Sequence, residues 1–304
     1  MTEVSTFDEL LNQYIIEKPL SSATIVTYKG VVNRFTKDTG IESIDNIPYV
    51  SLLEWRLAVT ERSSDITWNN YLRHMRALWK FAIHKKFVPD ADHFKELNWG
   101  RYKTSKTKTI SSAQLDSIMS FLADPECSLE PSWFWRMVVR LLFLTGIRRK
   151  QLINLKWGDV DFETRLLYLS AQGEKTRIER HIPLPENLIA ALTEYKKLFL
   201  LNYPRAYNPE AQLFNITLFN PRYSGKEMTV DQLSRFFRRL SSKLDFKISP
   251  HMLRHTMATE IARTGQIKPL QQILGHTDIR TTLDFYVHPD MDQLRGLLNG
   301  LHKI

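Results

Sequence analysis

The chain is poor in cysteine, with Cys127 as the only one among 304 residues. One thiol excludes an intramolecular disulfide and a cysteine-based zinc site, and it fits a reducing, cytoplasmic environment. Long apolar runs are also lacking: the most hydrophobic stretch, 137–144, falls far short of the ~20 residues of a membrane helix. Residues 1–20 contain acids and no extended apolar core. We therefore expect neither a signal peptide nor a membrane partner.

Acidic residues are in short supply as well: 33 Asp and Glu stand against 42 Lys and Arg, a formal net charge of +9. Such a balance suits a polyanionic partner such as nucleic acid, and it is also found in basic proteins without one. Hydrophobic residues make up 43% of the chain, which allows sizeable cores, and 304 residues suffice for two domains.

Residues 1–100 have the pattern of a helical domain. The clearest helix covers 65–87, and its predicted buried face consists of Trp68, Leu72, Met75, Trp79 and Ile83. Another face of the same helix carries the cations Arg73, Arg76 and Lys80. This stripe is a candidate DNA-contacting surface, and a solvated helix face is the equally open alternative.

A basic segment, 101–109, follows this domain and has no acidic or aliphatic residue. Its composition is typical of a linker between domains. If the linker crosses a DNA backbone, Lys103, Lys106 and Lys108 are the candidates for non-specific phosphate contacts.

The second predicted domain covers 110–304 and combines helices with a small sheet. The helix at 132–145 is apolar almost all round, which predicts a central, buried element. Residues 157–184 have strand-like composition with a turn near Gly173. Ser249 and Pro250 have the order of an N-cap and a first helical residue, so a helix should begin there. The predicted fold is mainly α with a small β-sheet, in two domains.

Six residues carry side chains suited to phosphodiester chemistry: Arg148, Lys175, His251, Arg254, His276 and Tyr286. Arginine matches a phosphate bidentately, lysine and histidine can move protons, and tyrosine can act as a nucleophile. His251 and Arg254 are three residues apart, so both project from one side of a helix. Taken singly, each residue also fits an ordinary role in a surface ion pair, a helix cap or a packed core.

The local strings and their order resemble the tyrosine recombinase family, which includes phage integrases and Xer proteins. They are Thr145-Gly-Ile-Arg148, Gly173-Glu-Lys175, His251-Met-Leu-Arg254, Leu274-Gly-His276 and Asp284-Phe-Tyr286. The resemblance implies a helical core-binding domain followed by an α+β catalytic domain. It implies that Tyr286 attacks DNA and forms a 3′-phosphotyrosyl bond, and that Lys175 protonates the departing 5′ oxygen. Arg148, Arg254 and His276 would stabilise the phosphorane, and His251 would assist proton movement.

The resemblance also implies partners. A double-stranded recombination site would be clamped by the two domains, and recombination would need four protomers on DNA. The C-terminal segment 290–304 has leucines at helical spacing and would form a tail helix donated in trans to a neighbouring subunit. An accessory directionality factor is a further candidate partner. Because 1–100 begins directly with the helical pattern, we expect no separate arm-binding domain and a simple recombination site.

Two positions depart from the common family pattern. Gln151 stands where many members have an acid that could support Arg148, although an amide can still accept a hydrogen bond. Ten residues separate His276 from Tyr286 where many members have nine, and integrases of conjugative elements resemble this chain in having ten. Two alternatives are open for the last motif: Tyr286 is half-buried beside Phe285, or Phe285 is the packing residue and Tyr286 is the exposed one.

The same residues leave other functions open. His251 and His255 have a metal-ligand spacing, but no glutamate lies between them and Arg254 would repel a cation, so we expect no metal and no cofactor. His255 is interpreted as structural. A catalytically silent DNA-binding regulator, a type IB topoisomerase-like enzyme and a metal-dependent nuclease are the alternatives. Covalent adduct formation, site preference and sensitivity to EDTA would distinguish them.

Overall fold

The chain folds into two compact units, Met1–Ser105 and Lys106–Ile304. The computed structural model describes residues 4–90, 92–101, 108–171 and 179–286. Within these ranges the secondary structure is helical apart from one three-stranded sheet, which confirms the predicted fold class. No helix in the described ranges is long and apolar enough to cross a membrane.

The first unit is a small helical domain. Its helices are α1 (Phe7–Glu17), α2 (Ser22–Thr39), α3 (Tyr49–Arg62), α4 (Asp65–His84) and the short α5 (His93–Glu96). The predicted face of α4 is the centre of the core, because Trp68, Leu72, Met75 and Trp79 are all buried and Ile83 packs against them. Ser64 begins α4 by accepting the backbone N–H of Thr67.

The second unit contains eight described helices and the sheet. The helices are α6 (Ser112–Ala123), α7 (Ser132–Thr145), α8 (Arg149–Asn154), α9 (Glu186–Asn202), α10 (Val230–Leu244), α11 (Pro250–Arg263), α12 (Ile267–Leu274) and α13 (Ile279–Tyr286). As predicted, α7 is the buried central helix, and it packs against α11. The Ser249 hydroxyl accepts the N–H of Met252, which confirms the predicted start of α11.

The sheet is antiparallel, in the order β1 (Val160–Asp161), β2 (Leu166–Leu169) and β3 (Arg180–Pro183). Leu167 pairs with Val160 on one side and with Ile182 on the other, and these three side chains point into the core. The predicted turn near Gly173, with Lys175, lies outside the described residues.

Candidate active site

Two helix ends meet at the side chain of Arg254. Gly146 ends α7 and Gly275 ends α12, each in the left-handed conformation that glycine adopts without a Cβ clash. Arg254, buried on α11, donates from Nη1 to the Gly146 carbonyl at 2.5 Å and from Nη2 to the Leu274 carbonyl at 2.9 Å. Both oxygens belong to helix C-termini, where the helix dipole favours a cation. The guanidinium is therefore held at a defined point between three helices.

Arg148 reaches the same place from the chain segment that follows α7. It is the N-cap residue of α8, and its backbone N–H donates to Oε1 of the buried Gln151 at 2.7 Å. Gln151 thus shapes the backbone at Arg148 through a capping interaction that a neutral amide can make. The charge of Arg148 is close enough to lower the pKa of Arg254, His251 and His276.

His276 lies immediately after Gly275. Its Nδ1 is 3.0 Å from the hydroxyl of the fully buried Thr282 on α13, and its Nε2 is 3.3 Å from Nη2 of Arg254. A guanidinium can only donate, so Nε2 accepts and Nδ1 carries the proton toward Thr282. The contact to Arg254 is long, because the same Nη2 also donates to Leu274. Of the two contacts that Nη2 makes, the one to His276 is therefore the weaker, and a phosphate oxygen can replace it more easily.

Tyr286 closes the cluster from the end of α13. Of the two alternatives for its motif, an exposed Tyr286 is wrong: its side chain is only 5% exposed and packs with residues of α11 and α12. Its ring is stacked with His276 at 6.1 Å and lies 5.0 Å from the ring of His255, and its side chain hydrogen-bonds Arg254. Burial follows because α13 folds back onto α11 and α12, the two helices that precede it.

One cavity of about 640 Å³ is lined by these residues. Its wall contains five of the six predicted catalytic residues, namely Arg148, His251, Arg254, His276 and Tyr286. The sixth, Lys175, lies outside the described residues. No Asp or Glu is among the described residues that line the cavity. The cavity therefore offers an anion three cations, Arg148, Arg149 and Arg254, and several hydrogen-bond donors.

The histidines of the cavity are neutral near pH 7. Burial, then Arg254 and Arg148, lowers the pKa of His276 to about 4, and the same causes lower the pKa of His251. Burial, followed by the charge of Arg148, lowers the pKa of Arg254 to about 10, which still leaves it a cation. The positive charge that the described part of the cavity presents to an anion thus resides on its arginines.

These pKa values predict a loss of stability in mild acid. An unfolded histidine binds a proton near pH 6.5, whereas the pKa of His255 and of His276 is lowered to about 4, mainly by burial. Stability is therefore complete above about pH 6.5 and is lost as the pH falls toward about 4. Allowing for solvent screening, we expect the free energy of unfolding to fall by about 2 kcal/mol between about pH 7 and pH 5.

Urea unfolding at both pH values measures this difference. The His276→Gln variant should lose part of the pH dependence, because glutamine does not titrate. An unfolding free energy that is equally pH-dependent in the wild type and in the variant would contradict the assignment.

Gly275 and Arg180 make a close contact beside His276. A Cβ at Gly275 would come within 1.9 Å of Nη1 of Arg180 on β3, and the backbone there has φ +64. The arginine can thus pack against the turn before His276 only because residue 275 lacks a side chain. Arg180 is near enough for its charge to lower the pKa of His276 and Arg254.

We expect Gly275→Ala to displace Arg180 and the turn that carries His276. The positive φ and the steric conflict together should lower the free energy of unfolding by about 1–3 kcal/mol. Activity in any assay of this site should fall more than stability explains, because His276 would move. Gly265→Ala is the matched control: its φ is +77, but a Cβ there meets no atom within 4 Å. Equal losses in the two variants would show that the Arg180 contact is unimportant.

The predicted DNA-contacting residues outside the cavity have different surroundings. Arg73 and Lys80 are exposed on α4, and Lys108 is exposed in the second unit. Arg76 instead donates to the backbone carbonyls of Phe94, Lys95 and Leu97 and stacks on Trp99. Its guanidinium therefore binds α5 and the residue that follows it, a role that the helical spacing of the cations did not indicate. Lys103 and Lys106 lie outside the described residues.

Several residues of the site were not predicted from the sequence. Thr282 contacts His276, Arg180 contacts the turn at Gly275, and His255 lies between His251 and Tyr286. Near α8, helix α10 also exposes four cations: Arg235, Arg238, Arg239 and Lys243. Only the last group has a sequence signal, since its cations alternate with Phe236, Phe237 and Leu240 at helical spacing.

The described residues include no group of three His, Cys, Asp or Glu side chains that could hold a metal ion. His251 and His255 have the i, i+4 spacing of metal ligands, but their Nε2 atoms are 2.7 Å apart, a hydrogen-bond distance. In the described site these two nitrogens are engaged with each other.

Two family models match the chain. The model described as "Phage integrase family" matches residues 108–293, and the one described as "Phage integrase, N-terminal SAM-like domain" matches residues 7–86. Among curated relatives, a "Putative tyrosine recombinase XerC" of Pseudomonas aeruginosa is 27% identical over 97% of this chain and 71% of its own length. A "Tyrosine recombinase XerD" of Staphylococcus aureus is 25% identical over 97% of both chains.

Solved structures with the same fold include integrases bound to DNA. The Tn1549 transposon integrase in complex with a circular intermediate DNA superposes with a TM-score of 0.78 at 24% identity, covering 98% of this chain and 99% of that chain. A lambda integrase tetramer bound to a Holliday junction gives 0.71 at 15% identity, covering 94% and 79%. At these identities the likeness establishes the fold.

Proposed function

The chain belongs to the phage integrase family and is a site-specific tyrosine recombinase, and we propose that it breaks and rejoins DNA with the residues of the cavity described above. One observation carries this proposal: five of the candidate residues line the same cavity, and no Asp or Glu is among its described lining residues. The five are Arg148, His251, Arg254, His276 and Tyr286. These residues come from α8, α11, α13 and the turn after α12, so their meeting is a property of the whole domain. Two arginines and a tyrosine in one wall match the needs of phosphoryl transfer to a hydroxyl.

In the proposed reaction the Tyr286 hydroxyl oxygen attacks the DNA phosphorus. A bond forms between phosphorus and the tyrosine oxygen, the bond to the 5′ oxygen breaks, and the product is a 3′-phosphotyrosyl link with a free 5′ hydroxyl. Tyr286 releases one proton to the solvent, and Lys175 donates one proton to the 5′ oxygen, so the proton count is unchanged. His251 assists as a hydrogen-bonding group beside the phosphate. A 5′ hydroxyl of another strand then reverses the step without ATP.

Arg148 and Arg254 bind the non-bridging oxygens in this proposal. Arg254 is held before DNA arrives by two helix C-termini, and the backbone of Arg148 is held by the cap that it forms on α8. Preorganised cations stabilise a pentacoordinate phosphorane without a reorganisation step. The weak contact between Arg254 and His276 would open when a phosphate oxygen replaces it, and His276 would then join the phosphate.

Stable DNA binding requires a surface wider than the cavity. We assign part of it to the exposed face of α10, where Arg235, Arg238, Arg239 and Lys243 follow one another at helical spacing. α10 is joined to α8 by the hydrogen bond from Arg149 Nη1 to the Ser234 hydroxyl at 3.1 Å. A phosphate bound at Arg148 would therefore have these cations nearby, and Arg73, Lys80, Lys103, Lys106 and Lys108 are the further proposed contacts.

We expect Arg238→Ala to weaken DNA binding at physiological salt and to reduce the slope of log affinity against log salt by about 1. The loss follows from one phosphate contact and its released counterion, so it should be similar for cognate and unrelated DNA. Fluorescence anisotropy over a series of salt concentrations measures both quantities. Arg205→Ala, at an exposed arginine just after α9, is the matched control and should leave the slope unchanged. An unchanged slope in Arg238→Ala would remove α10 from the interface.

The assembly is proposed from the same chemistry. Each protomer has one nucleophile, so the exchange of both strands at two sites requires four protomers. Exchange of the segment 290–304 between subunits remains a prediction, because that segment lies outside the described residues.

A suicide substrate tests the function directly. DNA carrying the recombination site and a nick that releases a short 5′ end is incubated with the protein in EDTA, and the products are separated on a denaturing gel. We expect a covalent protein–DNA adduct that survives denaturation and disappears after protease digestion. Cleavage that EDTA abolishes would indicate a metal-dependent nuclease, and binding without an adduct would indicate a silent regulator. Relaxation of supercoils without site preference would indicate a topoisomerase.

A further inference from the structure

His255 is a buried histidine of the cavity wall that the proposed reaction leaves without a role. It lies on α11, one turn after His251 and next to Arg254, and only 3% of it is exposed. Its Nε2 is 2.7 Å from Nε2 of His251, and its ring lies 5.0 Å from that of Tyr286. His255 therefore contacts two of the proposed catalytic side chains at once.

The contact between the two imidazoles restricts their protons. Their rings are edge to face, 4.2 Å apart at 85°, and one helix holds both. A hydrogen bond between two Nε2 atoms needs one donor and one acceptor, so only one of these nitrogens carries a proton. Burial, then the charges of His251 and Arg254, lowers the pKa of His255 to about 4. Near pH 7 both rings are neutral, and the tautomer of one determines the tautomer of the other.

The buried side of His255 indicates which ring donates. Its Nδ1 is buried and has no hydrogen-bond partner among the described residues. A buried N–H without an acceptor is rare, so this nitrogen is assigned as the unprotonated one. His255 then carries its proton on Nε2 and donates it to Nε2 of His251. The proton of His251 is consequently on Nδ1, the nitrogen that makes no hydrogen bond in the described part of the chain.

We propose that His255 is a positioning residue that holds the ring of His251 in the Nδ1–H tautomer, so that His251 offers the DNA phosphate a hydrogen-bond donor. The inference rests on the proposed function and deepens it, because it assigns His251 as a hydrogen-bond donor to the phosphate and not as a base for Tyr286. In this tautomer the free nitrogen donates and cannot remove the proton of Tyr286 in the first step. Packing of His255 against the Tyr286 ring adds a second restraint, on the nucleophile itself.

The tautomers can be observed without DNA. Protein with ¹⁵N-labelled histidine is examined by long-range ¹H–¹⁵N correlation near neutral pH, with His251→Gln and His255→Gln used to assign the two rings. We expect a protonated Nδ1 and an unprotonated Nε2 for His251, and the reverse for His255. The opposite pattern, or averaged tautomers for both rings, would overturn the inference. In His255→Leu the His251 ring should lose its single tautomer.

A double-mutant cycle measures the consequence for the reaction. His255→Leu should slow adduct formation on the suicide substrate by about tenfold or more, as does loss of a residue that orients a catalytic group. His255→Gln can still donate to His251 and should recover most of the rate. In the His251→Ala background, His255→Leu should change the rate less than about twofold. Equal losses in both backgrounds would show that His255 acts only through packing.

The two experiments fail in distinguishable ways. If the wild type forms the adduct and His255→Leu forms it at the same rate while remaining folded by thermal unfolding, the positioning role is wrong and the recombinase function stands. If the wild type forms no adduct, the proposed reaction is wrong, and the ¹⁵N spectrum still decides the tautomers. Should His255→Leu fail to fold, the His255→Gln variant and the wild-type spectrum carry the test.

Discussion

Replacing Tyr286 by phenylalanine is expected to abolish the covalent protein–DNA adduct, with a loss of about 10⁴-fold or more in single-turnover cleavage. The change removes one oxygen atom from a side chain that is already held between His255 and His276. The ring can remain in place, so folding and DNA affinity should change little. Among the described residues, Tyr286 is the one tyrosine that lines the cavity. A denaturing gel of the suicide-substrate reaction measures the adduct, and anisotropy measures binding.

Two control variants make this result specific. Tyr223→Phe removes a hydroxyl from a tyrosine that packs on Trp135, away from the cavity, and should leave the adduct unchanged. Phe285→Tyr keeps Tyr286 and should also retain the adduct. If Tyr286→Phe still forms the adduct at the wild-type rate, the assignment of the nucleophile is wrong.

Replacing Arg254 by lysine should be nearly as severe, with a loss of about 10³-fold in the cleavage rate, or about 4 kcal/mol of transition-state stabilisation. The planar guanidinium donates to the carbonyls of Gly146 and Leu274, which are contributed by different helices. An ammonium group is a point charge that cannot span both oxygens and also meet a phosphate. The substitution therefore keeps the positive charge but no longer holds it at the position that the two carbonyls define.

The same substitution should also lower the free energy of unfolding by about 2–4 kcal/mol, because two buried carbonyls lose their donor. Cleavage must accordingly be measured below the unfolding transition, with urea unfolding as a parallel measurement. Arg205→Lys, at an exposed position after α9, is the matched control and should change neither quantity. An Arg254→Lys variant that keeps more than about a tenth of the wild-type rate would exclude Arg254 as a bidentate phosphate ligand.

Elements determined by nearby residues could be predicted from the sequence. The core of α4, the buried helix α7 and the start of α11 at Ser249 follow from apolar spacing and capping within one or two turns. The fold class followed in the same way, since helical periodicity dominates and only 157–184 has strand-like composition. The catalytic residues were a different case, because each alone had an ordinary explanation and only their order pointed to one site.

Contacts between distant segments could not be predicted. Arg254 bonds a carbonyl that is 108 residues away in sequence, and the approach of Arg180 to Gly275 joins β3 to the end of α12. The motif of Tyr286 left its burial undecided, because the side that α13 turns toward α11 depends on packing. Arg76 has the spacing of a surface cation, but backbone carbonyls of α5 and of the residue after it accept its hydrogen bonds.

The sequence by itself determined which chemistry is available to this protein: cations, imidazoles and a tyrosine in an order that belongs to DNA strand transfer, without a cysteine-based metal site. Tertiary structure alone decided how these groups are held. The carbonyls of two helix C-termini hold Arg254, and Thr282 orients His276. The rings of His251 and His255 are joined by a hydrogen bond between their Nε2 atoms. The physical reason is that hydrogen bonding, burial and pKa depend on atoms within a few ångströms, and in this site those atoms come from four separate helices and their ends.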